Sequence, residues 1–194
     1  MIRPAVIAFC GLLLMRPAHA QTPPAAARQA EAPVGYHWQA LPEVKAAVLL
    51  PYVWNYKAEA SRDAQAYFLT RERILPGKQF QTGLSLNVVR RMSTKTRQPA
   101  DAYAQAFSAK SGRGAGQQVL SQDRKAQGPL RLYGVRYRLA SGPAGPKIIQ
   151  QWAIANTVTD TFYLLLFESP EKDWPQAWKL GETMITQLRL DANI

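Results

Sequence analysis

K-I-I-Q-Q-W-A-I-A (147–155) and F-Y-L-L-L-F (162–167), joined by N-T-V-T-D (156–160), decide the fold. The first segment reads as a strand with Gln150 and Gln151 in its middle. The second is an unbroken apolar run, as in a strand covered on both faces. The five joining residues carry side chains that bond their own backbone, so the pair reads as a hairpin. A closing helix follows. Asp173 is the expected N-cap, with Gln176 completing a capping box and Pro175 in the first turn, where a missing N–H costs little. Trp174, Ala177, Trp178, Gly181, Ile185 and Leu188 fall on one face, and Lys179, Glu182, Thr186 and Arg189 fall elsewhere. Two Trp rings on an apolar face bury ~150–250 Å² each, so both are expected to anchor this helix on the sheet rather than form a ligand platform.

Upstream, Val44 to Lys57 reads as a strand interrupted by Pro51, with Tyr52, Trp54 and Tyr56 alternating onto one face. Ala66 to Glu72 is a short strand, and Leu75 to Thr82 a loop turning at Pro76-Gly77. Gly83 to Met92 reads as half-buried, with Leu84, Leu86 and Val88 on one side and Ser85 and Asn87 on the other. Pro99 to Lys110 is a second helix with Ala102, Tyr103, Ala106 and Phe107 as its apolar stripe and Asp101 at its positive end. S-G-R-G-A-G (111–116) ends it as a linker; it lacks the Lys-Ser/Thr of a phosphate-binding loop. Gln118 to Lys125 and Leu130 to Leu139 form a strand pair turning at Gly128-Pro129. Its second strand sets Tyr133, Val135, Tyr137 and Leu139 against Arg136 and Arg138. Ser141 to Pro146 leads into the deciding hairpin.

The sum is six or seven strands with one helix inserted midway and one at the end. The links are too short for helical crossovers, which predicts an α+β fold with a mainly antiparallel sheet flanked by helices.

The segments Y-F-L-T (67–70), T-G-L-S-L-N-V (82–88) and A-N-T-V-T-D-T-F-Y-L-L-L-F-E-S-P-E-K-D-W-P-Q-A-W (155–178) resemble the PsbP-like family. This group includes the extrinsic photosystem II protein, a nuclear Ran-binding relative and many bacterial proteins. The resemblance covers roughly residues 44 to 190. It implies an α/β/α sandwich, and a binding or assembly role rather than an enzyme. No functional residue of a characterised relative maps onto this chain.

Residues 1–20 are expected to be a cleaved secretory signal. Arg3 begins it, Val6 to Met15 is a ten-residue apolar run, and Ala18-His19-Ala20 is the cleavage site. The alternative is an uncleaved anchor, which ten residues, short of the ~20 that a membrane span needs, disfavour; after cleavage no transmembrane span is expected. Phe9 before Cys10 does not fit a lipoprotein signal. Residues 21–35 read as a flexible Ala- and Pro-rich lead, and residues 36–194 as one domain. The expected location is periplasmic or secreted. Cleavage would remove the one cysteine, so no disulfide is expected.

The full chain has 24 Lys and Arg against 13 Asp and Glu, a formal charge of +11. Loss of Arg3 and Arg16 with the signal would leave +9. Outside the cytoplasm such a charge favours anionic lipid headgroups, cell-wall polymer or an acidic protein over nucleic acid. Arg90, Arg91, Lys95 and Arg97 concentrate basic charge between a strand and the second helix. The plain reading is a solvated loop that resists aggregation at a sheet end; the functional one makes them the candidate anion-binding residues, leading into the positive end of that helix.

No catalytic, cofactor-binding or metal-binding set is visible. After cleavage His37 is the only histidine, and nucleophilic catalysis and zinc both ask for more. Glu168, Glu171 and Asp173 are the closest acids and suit a helix start. The sequence therefore favours a non-catalytic binding or accessory protein. The alternative is a cell-envelope hydrolase whose active site carries no recognisable motif.

Overall fold

The computed structural model describes residues 31–75, 79–140 and 145–190. The expected signal, most of the expected lead, the turn at Pro76-Gly77 and most of the loop before the deciding hairpin lie outside the described residues. Among the described residues nine strands are present: β1 (Tyr36–Leu41), β2 (Ala46–Pro51), β3 (Asn55–Ala60), β4 (Gln65–Thr70), β5 (Gly83–Val89), β6 (Gln117–Gln127), β7 (Leu130–Leu139), β8 (Lys147–Asn156) and β9 (Thr161–Pro170). Seven form one antiparallel sheet in the order β3-β4-β5-β9-β8-β7-β6, and β1 pairs with β2 apart from it. Three helices accompany them: α1 (Met92–Thr96), α2 (Ala100–Lys110) and α3 (Trp174–Thr186).

The deciding hairpin is the centre of the large sheet. Residues β8 and β9 pair from Lys147↔Pro170 to Asn156↔Thr161. Since side chains alternate across a strand, this register sends Trp152, Ile154, Tyr163, Leu165 and Phe167 to one face, and Ala153, Ala155 and Phe162 to the other. The first set belongs to the main core with Leu69, Leu84, Leu86, Trp174 and Met184. The second packs with Met92 of α1, Ala100 and Ala104 of α2, and Tyr133 of the neighbouring β7. Burial on both faces explains the unbroken apolar run. Each fully buried Leu or Phe contributes ~1.5–3 kcal/mol relative to exposure.

The small sheet shares the main core. Leu41, Val44, Val48 and Leu50 pack in the same cluster as Leu69 and Leu84. The backbones of Ala47 and Arg189 exchange two hydrogen bonds, at 2.9 and 3.0 Å, so the segment after α3 is tied to β2. This face of the large sheet is thus covered by β1–β2 and by α3, which packs on β9. Neither reaches far over β7 and β6.

Several local expectations change. Pro51 ends β2, and the chain then leaves for β3. Tyr52, Trp54 and Tyr56 do not share a face: Trp54 is 8% exposed and Tyr52 67%. Strand β5 is covered on both sides, with Ser85 buried. On α2 the buried stripe is Ala100, Ala104 and Ser108, flanked by the half-buried Tyr103 and Phe107; Ala102 and Ala106 face solvent. Asp173 makes no capping hydrogen bond, because residues 171–173 form a 3-10 turn that leads directly into α3 and gives Asp173 a helical backbone. On α3, Met184 joins Trp174, Ala177 and Gly181 in the core, whereas Trp178 is only half-buried.

Asp160 replaces the local caps. It stands in the turn before β9 with φ 51°. Its carboxylate accepts N–H groups from Ser93 (2.7 Å) and Ala100 (2.9 Å), and its carbonyl accepts from Met92 (3.0 Å). One residue thereby fixes the starts of α1 and α2.

Candidate functional site

Where α3 stops short of β7 and β6, the sheet is the floor of an open cleft of about 660 Å³. That volume lies within the range of small-molecule sites, which combine apolar lining with a few placed polar groups. Register orders the floor. Along β7 the residues facing the cleft are Arg136, Gly134, Leu132 and Leu130, opposite Gln150, Trp152, Ile154 and Asn156 of β8. Trp152 lies across Gly134: a Cβ there would fall 2.8 Å from two ring carbons, so glycine is what lets the indole lie flat. The wall is Trp178, Glu182 and Ile185 of α3, followed by Leu188, Arg189 and Leu190.

Arg136 marks one end. Its guanidinium carbon sits 4.3 Å from the centre of the Trp178 ring and 5.3 Å from that of Trp174. The two indoles are themselves stacked, 5.1 Å apart and 12° from parallel. The Arg136 Nε donates to Gln150 Oε1 at 2.9 Å. Among the described residues no carboxylate pairs with it. Burial lowers its pKa, an effect that the nearby charge of Glu182 opposes. The other cations along the cleft are engaged. Lys125 pairs with Asp123 at 3.1 Å and lies 5.2 Å from the Trp152 ring. Arg189 lies 3.9 Å over Trp38.

Among the described residues the cleft lining contains the hydroxyls of Ser121 and Thr186 and the carboxylates of Asp123 and Glu182, but no histidine or cysteine. Thr186 donates back to the Glu182 carbonyl at 2.7 Å. His37 stacks on Tyr52, with ring centres 5.6 Å apart, and is not among the lining residues. Among the described residues no group of three His, Cys, Asp or Glu is placed to hold a metal ion.

The four basic residues expected to bind anions surround α1 and are all exposed. Arg90 donates to the Glu43 carbonyl. Lys95 donates to the Asp63 carbonyl at 2.5 Å and pairs with its carboxylate at 3.5 Å. Arg91 and Arg97 are both left-handed, at φ 56° and 60°, and bracket the short helix. The positive end of α2 does not stand open beside them, since Asp160 occupies it. Two hydrogen bonds outweigh the burial that would otherwise raise the Asp160 pKa, and hold it below the usual carboxylate value.

Of the acids near α3, Glu171 and Glu168 are ion-paired rather than capping. Glu171 receives Arg138 through two hydrogen bonds of 2.9 Å, which holds its pKa below the usual range, and Glu168 receives Lys147 at 3.1 Å. In sequence Arg136 is placed only on a face, shared with Arg138, and the further signal is that Gln150, a polar residue inside an apolar strand, comes opposite Arg136 in the register.

This arrangement of sheet and helices recurs in solved proteins. Cyanobacterial PsbP from Synechocystis superposes with a TM-score of 0.52 and 11% identity, over 87% of this chain and 99% of that one. The fold is that of PsbP. LpqN, involved in cell envelope biogenesis of Mycobacterium tuberculosis, gives 0.52 and 8% identity over 80% and 90% of the two chains. The Ran-binding protein Mog1p of Saccharomyces cerevisiae aligns more loosely, at 0.45 and 12% identity over 80% and 95%. No protein-family model matches the sequence, and no curated protein is similar to it. The likeness is therefore one of fold. Function has to be argued from the PsbP-like scaffold's own cleft and surface.

Proposed function

We propose that this is a non-catalytic binding or accessory protein acting outside the cytoplasm, with the cleft over β6, β7 and β8 as its binding site. The carrying observation is the lining of that cleft. It joins an apolar floor to the stacked Trp178–Arg136 pair, and sets no histidine or cysteine beside its hydroxyls. Such a site holds a ligand by shape, stacking and charge. The signal-like residues 1–20 and the envelope role of LpqN, a protein of the same fold, support the location. The basic residues around α1 supply a weaker, longer-ranged attraction to an anionic envelope component, whether lipid headgroup, cell-wall polymer or acidic protein. Arg91 and Arg97 contribute most, since Arg90 and Lys95 are held by Glu43 and Asp63.

The test is capture from native envelope extract with the parent chain, with Trp178→Ala, and with Arg91→Asn/Arg97→Asn. A component retained by the parent and by the loop variant but lost with Trp178→Ala supports the cleft. Retention unaffected by Trp178→Ala, or chemical turnover of the retained component, overturns the reading.

A further inference from the structure

Arg136 is a half-buried cation stacked on an indole, with one hydrogen bond from Nε to Gln150 and no salt bridge among the described residues, although the Glu182 carboxylate of the same cleft is near enough to act on its charge. Its Nη groups make no hydrogen bond or ion pair among the described residues. A guanidinium in this state is unusual. It has given up part of its hydration, its orientation is fixed by Trp178 and Gln150, and its outer edge remains unsatisfied. A planar pair of N–H donors of this kind matches the two oxygens of a carboxylate or phosphate. Removal from bulk water strengthens that attraction.

What lies beside Arg136 determines the rest of the ligand. From Arg136 the floor runs through Gly134, Leu132 and Leu130, a distance of ~20 Å at the usual strand rise. Trp152 lies flat over Gly134, and Ile154 sits opposite Leu132. Ile185, Leu188 and Leu190 form the facing wall and, like Leu132, are only partly buried. Away from Arg136 the β7–β8 floor and the leucines after α3 are therefore apolar, while Ser121, Asp123, Lys125 and Gln127 of β6 form a polar rim along one side. Of the two further cations Lys125 is paired with Asp123 and Arg189 is stacked on Trp38, and Arg136 is the one fixed against the floor by Gln150.

We propose that the cleft binds a single-chain anionic amphiphile, with its carboxylate or phosphate head on Arg136 and its hydrocarbon chain along Leu132 and Leu130 toward Leu188 and Leu190. This rests on the cleft being the binding site and adds the chemistry of what it holds. Gln150 and Trp178 are positioning residues for Arg136. Charge complementarity at Arg136 and the apolar floor leading away from it favour this occupant.

The experiment is calorimetric titration of the full chain with dodecanoate, dodecyl phosphate, dodecanol and acetate, below the concentrations at which the amphiphiles form micelles. Dodecanoate or dodecyl phosphate is expected to bind with one-to-one stoichiometry, and comparison of the two assigns the head as carboxylate or phosphate. Dodecanol should bind at least tenfold more weakly, and acetate should give no measurable heat. Arg136→Gln should bring dodecanoate down to the affinity of dodecanol and leave dodecanol unchanged. Arg136→Lys, which keeps charge without the fork, should fall between. Equal binding of dodecanoate and dodecanol by the parent chain overturns the assignment of the head and needs no variant to do so. Binding of none of the amphiphiles overturns the ligand class. In either case a captured envelope component still lost with Trp178→Ala leaves the cleft itself standing, so the two failures are distinguishable.

Discussion

Gly181 of α3 rests on the ring of Phe167 in β9: a Cβ at Gly181 would lie 2.7 Å from three carbons of that ring. Phe167 is fully buried and held between Trp54, Trp174 and Trp178, so it has no room to retreat. Glycine inside a helix costs ~1 kcal/mol relative to alanine. Overpacking a filled core costs ~1–3 kcal/mol. The second effect should win. Gly181→Ala is expected to lower stability by up to ~2 kcal/mol in urea unfolding despite its better helix propensity. A variant more stable than the parent would mean that α3 is not seated as described.

Trp174 and Trp178 stack on each other but are buried unequally. Trp174 is 8% exposed, whereas Trp178 opens onto the cleft. Trp174→Ala should cost ~3–5 kcal/mol, as core aromatic truncations do. Trp178→Ala should cost distinctly less, because part of its ring already faces solvent and because Arg136 loses a stacking partner rather than a hydrogen bond. Equal losses in parallel urea melts would place Trp178 in the core, where its sequence position alone had put it.

The deciding hairpin and α3 were legible because their signals are local: unbroken apolar runs, a polar five-residue turn, and a stripe at helical spacing. What was not legible depends on distant contacts. Strand β1 is short, and its partner β2 had been read as part of a longer strand. The cap of α2 comes from Asp160, sixty residues later in the chain. The correct α2 stripe, Ala100–Ala104–Ser108, is built of small residues that carry little apolar signal. The cleft exists because α3 covers only part of a seven-stranded sheet, which no segment of sequence states. Even so, Gln150 was visible as a polar residue in an apolar strand, and it proves to hold Arg136.

Asp160 predicts an acid-dependent loss of stability. Its native pKa is below the ordinary value of 3.8, so the folded state binds its proton less readily than the unfolded chain does. By linkage, its contribution is complete above the unfolded pKa and fades as pH falls through the lowered native value. Asp160→Asn keeps a side chain that tolerates φ 51° but lacks the charge and the second acceptor oxygen. Loss of a cap of this kind costs ~0.5–2 kcal/mol. The variant should be less stable than the parent by about that much at pH 7, and the difference should shrink toward pH 3. A constant difference across this range would assign the effect to shape rather than charge.

The basic residues around α1 divide into two pairs with different expected behaviour. Arg90 and Lys95 bond to Glu43 and Asp63, so replacing them removes folded-state contacts as well as charge. Arg91 and Arg97 are exposed and hold left-handed backbone, which arginine adopts at a cost and asparagine adopts more readily. Arg91→Asn/Arg97→Asn should therefore leave the thermal midpoint unchanged or slightly raised. Near an anionic membrane each basic side chain is worth ~1 kcal/mol, within a Debye length of ~8 Å at physiological salt. The double variant should then lose most of any salt-sensitive cosedimentation with anionic vesicles, while binding neutral vesicles as the parent does. Replacing all four with Gln should remove the remainder, at the cost of a lower thermal midpoint. If the double variant sediments with anionic vesicles as well as the parent at low salt, these arginines are a solvated connection between β5 and α2, and any attraction to an anionic surface must come from elsewhere on the chain.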